Sequence, residues 1–339
     1  MKAKVAIVGA SGYTGIEVTK ILSRHPGVRL RAVASQTNAG KPLSTLFGAG
    51  APDMDFCLPG SPEIDECDVI FSCLPHGASA KLISKWMSKK RTVFDLSADF
   101  RLKDADAYHL WYHSAHPAAY LLKDSVYGLP EVNREKLKKA NLIACPGCYP
   151  TASILGLLPV IKTGMVKPNV FISAVSGTSG AGKQTKLEYS FCEVNEALHA
   201  YSVPNHRHTP EMEQELSLAA GRDVKVTFAP HLGPFNRGIY ATICAELNQS
   251  ISQKAIQEHY DNFYLSASFV TVCEQNPDLK DVRGTNFCHI RPIVDQRTGK
   301  LVILSALDNL IKGAAGQAVQ CFNLRFKHKE NEALMFGPY

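Results

Sequence analysis

The sequence predicts an α/β protein in which a doubly wound parallel sheet is followed by a second α+β domain built on a mixed or antiparallel sheet. At residues 4–22 an apolar strand runs directly into a glycine-rich turn and a helix. Strands and helices then alternate as far as residue 147, as they do in parallel sheets. Beyond residue 170 the extended segments follow one another with few helices between them, which favours a mixed sheet.

Length, composition and charge narrow the class of protein. The 339 residues, 45% hydrophobic and 20% charged, suffice for two globular domains with apolar cores. The formal charge of +6 comes from scattered basic residues, which favours an anionic small substrate over nucleic acid. No signal peptide or membrane span is indicated. The ten cysteines lack paired C-x-x-C motifs, so we expect reduced thiols in the cytoplasm and no metal site.

The first element pair predicts a dinucleotide site. Residues 4–8 read as a buried strand and residues 16–22 as a helix, with the pattern G-x-x-G-x-x-G between them. Such a turn lets the backbone and the helix N-terminus approach a pyrophosphate, although a tight turn without a ligand is the alternative. The residues that we expect to contact the cofactor here are Gly9, Ser11, Gly12, Tyr13, Thr14 and Gly15.

The next strands indicate which cofactor it is. The second strand is predicted at residues 28–35. No acidic residue lies at 34–38, where an NAD-binding protein usually has an Asp or Glu that binds the 2′-hydroxyl of the ribose. Small donors such as Ser35 suit a 2′-phosphate, so NADP is favoured. Strands over 68–73 and 92–95, with a helix over 78–88, bring the turn at Pro75 to the same sheet edge.

A cysteine-containing turn follows the strand predicted at residues 141–144. Cys145 and Cys148 lie on it, Pro146 and Gly147 force the turn, and Thr151 is predicted to cap the next helix. A thiol at a helix N-terminus is favoured as the nucleophilic thiolate. The C-x-x-C spacing also permits a redox function, with a reversible disulfide between the two cysteines as a hypothesis.

Two polar segments mark the second domain. After a strand at 170–175, the glycine- and hydroxyl-rich loop 176–183 is predicted to form an anion nest with Lys183 as counter-charge, or else a flexible connection. His206, Arg207 and His208 precede a helix that Thr209 is predicted to cap, with Pro210 at its first position and Glu211 in its first turn. They suit acid–base chemistry beside an anion better than a metal.

The remaining segments complete the second domain and return to the first. Strands are predicted at 224–229, 238–247, 268–272 and 301–307, and a helix rich in small residues at 308–319. We predict a first domain at 1–147, completed by 308–339, and a second at 148–307. The polar tail beyond Lys327 is expected to be loosely held.

Eight motifs in order make the chain resemble a known family. They are GASGYTG at 9–15, LSADFR at 96–101, YGLPE at 127–131, PGCYPT at 146–151, SGTSGAG at 176–182, HRHTPE at 206–211, VRGTNF at 282–287 and DN at 308–309. Together they resemble the N-acetyl-gamma-glutamyl-phosphate reductase family in its longer form, over about residues 3–325. That family is related to aspartate-semialdehyde dehydrogenase. One departure is Cys145, where the family commonly has Asn.

The resemblance implies a Rossmann-type cofactor domain and an NADPH-dependent acyl-phosphate reductase of arginine biosynthesis, usually a homotetramer. It implies that N-acetyl-glutamyl 5-phosphate is converted to N-acetyl-glutamate 5-semialdehyde and inorganic phosphate. Cys148 would be the nucleophile and His208 the acid–base group, with His206 as the alternative. A related reductase of another acyl phosphate is the competing interpretation. Further cofactor contacts are predicted at Ser179, Gly180, Gly182 and Asn309, and substrate contacts at Arg101, Lys183, His206, Arg207 and Glu211.

Overall fold

The computed structural model describes residues 2–88, 91–183 and 186–337. The chain forms two compact units, one of Met1–Pro146 with Ala314–Phe336 and one of Gly147–Gly313 with Gly337–Tyr339. Residues 308–313 therefore belong to the second unit, whereas the sequence analysis placed the return at 308. Pro338 and Tyr339, the end of the predicted return, lie outside the described residues.

A six-stranded parallel sheet forms the centre of the first unit; the parallel sheet and five of its strands were predicted, all but the strand at 125–127. Its spatial order is β2-β1-β3-β4-β6-β5, and every pairing is parallel. Val8, Ser72, Asp95 and Ala144 lie level with one another at the carboxyl edge, so the turns that follow them meet there. The strands are β1 (Ala3–Val8), β2 (Val28–Ala34), β3 (Val69–Ser72), β4 (Thr92–Asp95), β5 (Ser125–Tyr127) and β6 (Leu142–Ala144).

Helices connect these strands and cover the sheet. Helix α4 turns Ser79, Ala80, Ile83 and Trp86 toward the apolar core, as expected for a helix that covers one face of a doubly wound sheet. The helices of this part are α1 (Tyr13–Ser23), α2 (Ser44–Phe47), α3 (Pro62–Asp65), α4 (Ser79–Met87), α5 (Ala105–Tyr112) and α6 (Pro130–Leu137).

The second unit contains a seven-stranded mixed sheet, which confirms the predicted α+β architecture. Its order is β11-β12-β13-β10-β7-β9-β8; the pairs β7/β9 and β11/β12 are parallel and the others antiparallel. The strands are β7 (Val166–Ser176), β8 (His199–Ala200), β9 (Lys225–Leu232), β10 (Ile239–Leu247), β11 (Val270–Val272), β12 (Cys288–Asp295) and β13 (Lys300–Leu307).

One long helix, α7 (Cys148–Lys162), packs against β10 and β13 and is buried from Tyr149 to Ile161. Gly156 permits the close approach, because a Cβ there would lie 2.7 Å from Cδ1 of Ile243. The other helices of this unit are α8 (Phe191–Val194), α9 (Thr209–Ala220), α10 (Gln253–Tyr264) and α11 (Leu279–Val282). No helix in the described part of the chain is long and apolar enough to cross a membrane.

The C-terminal return differs from its prediction in two ways. A π-helical turn, Ile311–Ala315, precedes α12 (Gly316–Arg325), so the regular helix begins later than residue 308. The tail is also firmly held: Asn323 Nδ2 donates to the carbonyls of Glu330 and Glu332, both at 3.0 Å, and Arg134 binds the Glu330 carboxylate through two nitrogens. Leu334 is fully buried. The expectation of a loose tail was wrong because these side chains satisfy its backbone.

Candidate active site

Cys148 is the first residue of α7. Gly147 is the N-cap, with φ −68° and ψ 155°, and the thiol is half-buried. The predicted Thr151 cap was wrong: the cap lies four residues earlier, at Gly147, and the Thr151 hydroxyl donates to the carbonyl of Gly147 at 3.1 Å. The cysteine side chain therefore lies in the first turn, where the helix dipole favours the thiolate form.

His208 lies directly against Gly147. A Cβ built on Gly147 would lie 2.7 Å from Cε1 and 2.8 Å from Cδ2 of the imidazole, with Nε2 nearer still. His208 is also the N-cap of α9, which corrects the predicted Thr209 cap and puts Pro210 one position later. The two candidate catalytic residues are thus held at the starts of two helices, α7 and α9, that pack together.

Glu211 connects the same two helix starts. Its Oε1 accepts a hydrogen bond from the Gly147 N–H at 2.8 Å, and the residue is only 1% exposed. A buried carboxylate that binds a backbone N–H fixes the chain at that point. The structure therefore places Glu211 against the turn that carries Cys148, and its predicted contact with substrate stays a prediction.

The structure distinguishes the two histidines. The Nδ1 of His206 accepts a hydrogen bond from the His208 N–H at 3.1 Å, and its ring packs among Tyr149, Tyr201 and Phe228 at centroid distances of 5.4–5.6 Å. Burial, with a smaller contribution from the charge of Arg207, lowers the pKa of His206 to about 4. His206 is therefore a neutral packing residue at pH 7, which favours His208 as the acid–base group.

The serine–glycine loop is ordered by backbone bonds. The N–H groups of Thr178 and Ser179 donate to the carbonyls of Phe235 and Asn236, and those of Gly180 and Gly182 donate to carbonyls within the loop. The predicted anion nest was therefore wrong, since most of these donors already have carbonyl acceptors. Lys183 is exposed at the end of the loop, and residues 184 and 185 lie outside the described part of the chain.

Ser179 and Asn309 form one hydrogen-bonded group. Asn309 Nδ2 donates to Ser179 Oγ at 3.0 Å, and its Oδ1 accepts the Gly238 N–H at 2.7 Å. Ser179 Oγ in turn donates to the Asn236 carbonyl at 2.6 Å. A Cβ at Gly180 would lie 2.6 Å from Ser176 Oγ, so the chain is tightly packed here. The structure brings these predicted cofactor residues together within the second unit.

The glycine-rich turn of the first unit has the shape of a pyrophosphate cradle. Gly9 has φ +86°, and a Cβ there would lie 2.6 Å from the Cys73 carbonyl oxygen; a Cβ at Gly15 would lie 2.7 Å from Cα of Ala10. At Gly12, the N-cap of α1, the nearest atom to a Cβ is 3.7 Å away and no side chain caps the helix. The first-turn N–H groups, around Tyr13 and Thr14, are thus available to an anion.

A hydroxyl cluster follows β2. Ser35 Oγ donates to Ser11 Oγ at 2.9 Å and accepts the Asn38 N–H at 3.2 Å. No carboxylate lies among residues 34–38, so these donors fit the 2′-phosphate of NADP. Pro75 lies in the turn after β3, where the Gly77 N–H donates to Asp99 at 2.7 Å.

Arg101 has a structural position. It is 7% exposed, and it donates to the carbonyl of Cys145 at 2.8 Å and to that of Leu96 at 3.1 Å. Two of its donor nitrogens are thus occupied at the ends of β4 and β6, whereas the predicted contact was with substrate. Cys145 itself is 1% exposed, and burial raises its pKa well above the usual range, which disfavours the thiolate that the hypothetical disulfide with Cys148 requires.

The sequence reasoning missed Gly313. A Cβ there would lie 2.8 Å from Cβ and 3.2 Å from Cα of Cys148, so this glycine lies directly against the candidate nucleophile. The only available signal was the neighbouring Asp308-Asn309 motif, from which a cofactor contact at Asn309 was predicted and no contact with Cys148. Among residues 2–88, 91–183 and 186–337, no three His, Cys, Asp or Glu side chains form a metal-binding group.

Comparisons with known proteins identify relatives of both units. The model of the semialdehyde dehydrogenase NAD-binding domain matches residues 4–140, and that of the semialdehyde dehydrogenase dimerisation domain matches residues 148–309. The N-acetyl-gamma-glutamyl-phosphate reductase of Geobacter sp. strain M21 is 46% identical over 95% of this chain and 94% of its own. That of Campylobacter jejuni is 44% identical over 99% of both chains.

Solved structures share the fold at low identity. Aspartate semialdehyde dehydrogenase II from Vibrio cholerae superposes with a TM-score of 0.75 at 16% identity, covering 96% of this chain and 99% of its own. The aspartate semialdehyde dehydrogenase from Candida albicans, solved with NADP, has a TM-score of 0.71 at 18% identity, with 98% and 99% coverage. At this identity the likeness shows the two-unit fold.

Proposed function

This chain belongs to the N-acetyl-gamma-glutamyl-phosphate reductase family, and we propose that it performs that reduction through a thioester on Cys148. The substrate is N-acetyl-glutamyl 5-phosphate, and the products are N-acetyl-glutamate 5-semialdehyde and inorganic phosphate, in arginine biosynthesis. The observation that supports the proposed route best is Cys148 in the first turn of α7 with the His208 ring packed across Gly147.

The first half of the reaction is acyl transfer to the thiol. The Cys148 thiolate attacks the acyl carbonyl, a carbon–sulfur bond forms, and the carbon–oxygen bond to phosphate breaks with its electrons leaving on phosphate. The first-turn N–H groups of α7 face the region where the carbonyl oxygen becomes negative, and they stabilise that charge. Glu211 keeps the turn in place through the Gly147 N–H.

The second half returns the free thiol. Bound NADPH supplies the hydride that reduces the thioester carbonyl. His208 forms an ion pair with the Cys148 thiolate and exchanges a proton with the oxygen of the thiohemiacetal. Collapse of the thiohemiacetal breaks the carbon–sulfur bond and releases the aldehyde and the Cys148 thiolate. His206 does not serve as the base in this scheme, because its Nδ1 accepts the His208 N–H and its pKa is near 4.

The residues present fit NADP. The open N-terminus of α1 at Gly12 suits the pyrophosphate, and the hydroxyl cluster of Ser11 and Ser35 suits the 2′-phosphate. The roles of Gly9, Gly15 and Pro75 as cofactor neighbours, and of Ser179, Gly180, Gly182 and Asn309, are part of the same proposal. For the anionic substrate, Lys183 and Arg207 are the exposed cations among the predicted contacts.

Assembly and location are also proposed. The matched dimerisation-domain model over residues 148–309 supports a homo-oligomer, and the family resemblance supports a tetramer in the cytoplasm. Light scattering coupled to gel filtration tests the assembly, since a monomer at micromolar concentration would exclude it.

The reverse reaction tests the chemistry. Wild type is expected to reduce NADP with N-acetyl-glutamate 5-semialdehyde only when phosphate is present, and Cys148→Ala is expected to lose this activity. Activity of the folded wild type only with other semialdehydes would assign a different acyl phosphate. Persistent activity in Cys148→Ala would exclude the thioester route.

A further inference from the structure

The turn at residues 308–313 lies against the candidate nucleophile. Gly313 is buried, and the space where its Cβ would lie is 2.8 Å from Cβ and 3.2 Å from Cα of Cys148. We propose that Gly313 is a positioning residue for Cys148 and that Asp308 is the anchor that holds Gly313 in place. The proposal rests on the role of Cys148 as nucleophile.

Asp308 makes the turn rigid. Its carboxylate is fully buried and accepts five hydrogen bonds: from Arg237 Nε at 3.0 Å and Nη2 at 3.1 Å, and from the N–H groups of Gly284 at 2.6 Å, Leu310 at 2.8 Å and Ile311 at 3.1 Å. Its own carbonyl accepts the Gly313 N–H at 2.9 Å. A two-nitrogen bond from a guanidinium to a carboxylate fixes direction as well as distance. Asp308 thus holds both ends of the turn that carries Gly313.

The opposite wall is equally fixed. The Gly147 N–H is bound to Glu211, and the body of α7 is buried from Tyr149 onward. Asp308 anchors the turn on one side of Cys148 and Glu211 anchors the turn on the other, so both hydrogen-bond networks oppose a shift of the Cα and Cβ of Cys148. Rotation about χ1 then sets the position of Sγ. The same contact therefore determines where the sulfur lies relative to the helix terminus and to His208.

A side chain at residue 313 would displace this geometry. Gly313 does not have a positive φ, so alanine is compatible with its backbone conformation. The added methyl meets Cys148 most closely and also lies 3.3 Å from the carbonyl oxygen of Asp308, within the same turn. Carbon atoms in contact normally lie about 3.5–4.0 Å apart, so roughly 1 Å of movement is required. Because misplacement by 1 Å can cost about 100-fold in rate, Gly313→Ala is expected to lower kcat about 100-fold with little change in KM.

A second readout does not depend on substrate. Iodoacetamide alkylates thiolates, and peptide mass mapping reports Cys148 and the exposed Cys192 in the same molecule. In Gly313→Ala we expect the alkylation rate of Cys148, relative to Cys192, to fall about tenfold near neutral pH. Its pH midpoint should move upward by about one unit, because the sulfur leaves the helix terminus and His208.

The matched control is Gly156→Ala on the same helix. Its added Cβ would lie 2.7 Å from Ile243 Cδ1, in the core between α7 and the sheet, so it disturbs packing without touching Cys148. It should lower the melting temperature and leave both the alkylation ratio and kcat per folded molecule unchanged. A merely structural Gly313 would behave in the same way, and that result would overturn the proposal.

Asp308→Asn keeps the inference testable if Gly313→Ala does not fold. It retains the shape of the side chain and weakens the bond to Arg237, and we expect about a tenfold loss in both readouts. Where both variants fold, their combined effect should be less than the product of the single effects, because they act through one turn. Multiplicative effects, or an unchanged alkylation profile in Asp308→Asn, would refute the anchor. The alkylation results decide this even if the proposed acyl phosphate is not the substrate.

Discussion

Gly147→Ala isolates the contact between the turn and His208. Gly147 has φ −68° and ψ 155°, a conformation that alanine adopts without strain, and the variant keeps the N–H that binds Glu211. The only new feature is a methyl group, which would lie 2.7 Å from Cε1 and 2.8 Å from Cδ2 of the imidazole. Since ordinary carbon contacts are about 3.5–4.0 Å, the ring must move back by roughly 1 Å.

That displacement has a calculable consequence. A movement of 1 Å at a reacting group can cost about 100-fold, which corresponds to roughly 2.7 kcal/mol in the activation barrier. We expect kcat of the phosphate-dependent reverse reaction to fall by about this factor, while the melting temperature changes little because His208 is partly exposed. The assay is steady-state NADP reduction followed at several pH values.

A double-mutant cycle with His208→Ala supplies the control. When the imidazole is absent, the methyl at residue 147 meets no ring, so the double variant should be no slower than His208→Ala alone. Wild-type kcat in Gly147→Ala, or a further 100-fold loss on the His208→Ala background, would refute the inferred contact between this ring and the catalytic turn.

Three further predictions follow from other contacts, beginning with His206→Gln, which should reduce the loss of stability in acid. Because the native pKa is near 4, only the unfolded state takes up this proton between about pH 6.5 and 4, and the free energy of unfolding of wild type decreases by up to about 1.4 kcal/mol for each unit by which the pH is lowered. Equal pH slopes of the free energy of unfolding, measured by urea titration of both proteins, would contradict this. Ser35→Asp should raise the ratio of the KM for NADP to the KM for NAD about tenfold or more, because a carboxylate in the hydroxyl cluster repels the 2′-phosphate. An unchanged ratio in NADP and NAD titrations would show that the 2′-phosphate does not bind at this cluster. Arg101→Met should lower the free energy of unfolding by about 1–3 kcal/mol, because the buried carbonyl of Cys145 and the partly buried carbonyl of Leu96 lose this donor. A normal denaturation midpoint with a raised substrate KM would instead support a contact between Arg101 and substrate.

The sequence was sufficient for the parallel sheet because its strands are short, apolar and separated by helices. Strand β12 was not predicted. Pro292 lies within it, and proline argues against a strand inside a sheet. The structure shows why it is tolerated: the neighbouring β11 pairs only with residues 288–290, so Pro292 lies beyond that partner. Strand β5, with three residues, was also missed; β6 is as short but was identified as the apolar run before the cysteine-containing turn.

The candidate site was predictable in chemistry and less so in geometry. The helix-terminal Cys148 and the histidines beside α9 followed from composition and spacing, although both helix starts were misplaced. Caps chosen from side-chain preference, Thr151 and Thr209, gave way to Gly147 and His208 because tertiary contacts with Glu211 and the imidazole determine the turns. Gly313 meets Cys148 across 165 positions of sequence, and a glycine carries no chemical signal of such a contact.

The order in which the chain is synthesised matters for a first unit made of two separated segments. Phe322, on α12, packs its ring against Phe71 and Phe94 at centroid distances of 6.0 and 6.1 Å, so the core around β3 and β4 lacks this third ring until residue 322 has been made. When only residues 1–146 have emerged from the ribosome, part of the apolar surface of the parallel sheet is still exposed. Most of the second unit, residues 147–313, is a single segment of the chain, so we expect chaperone dependence to be concentrated in the N-terminal portion of the nascent chain.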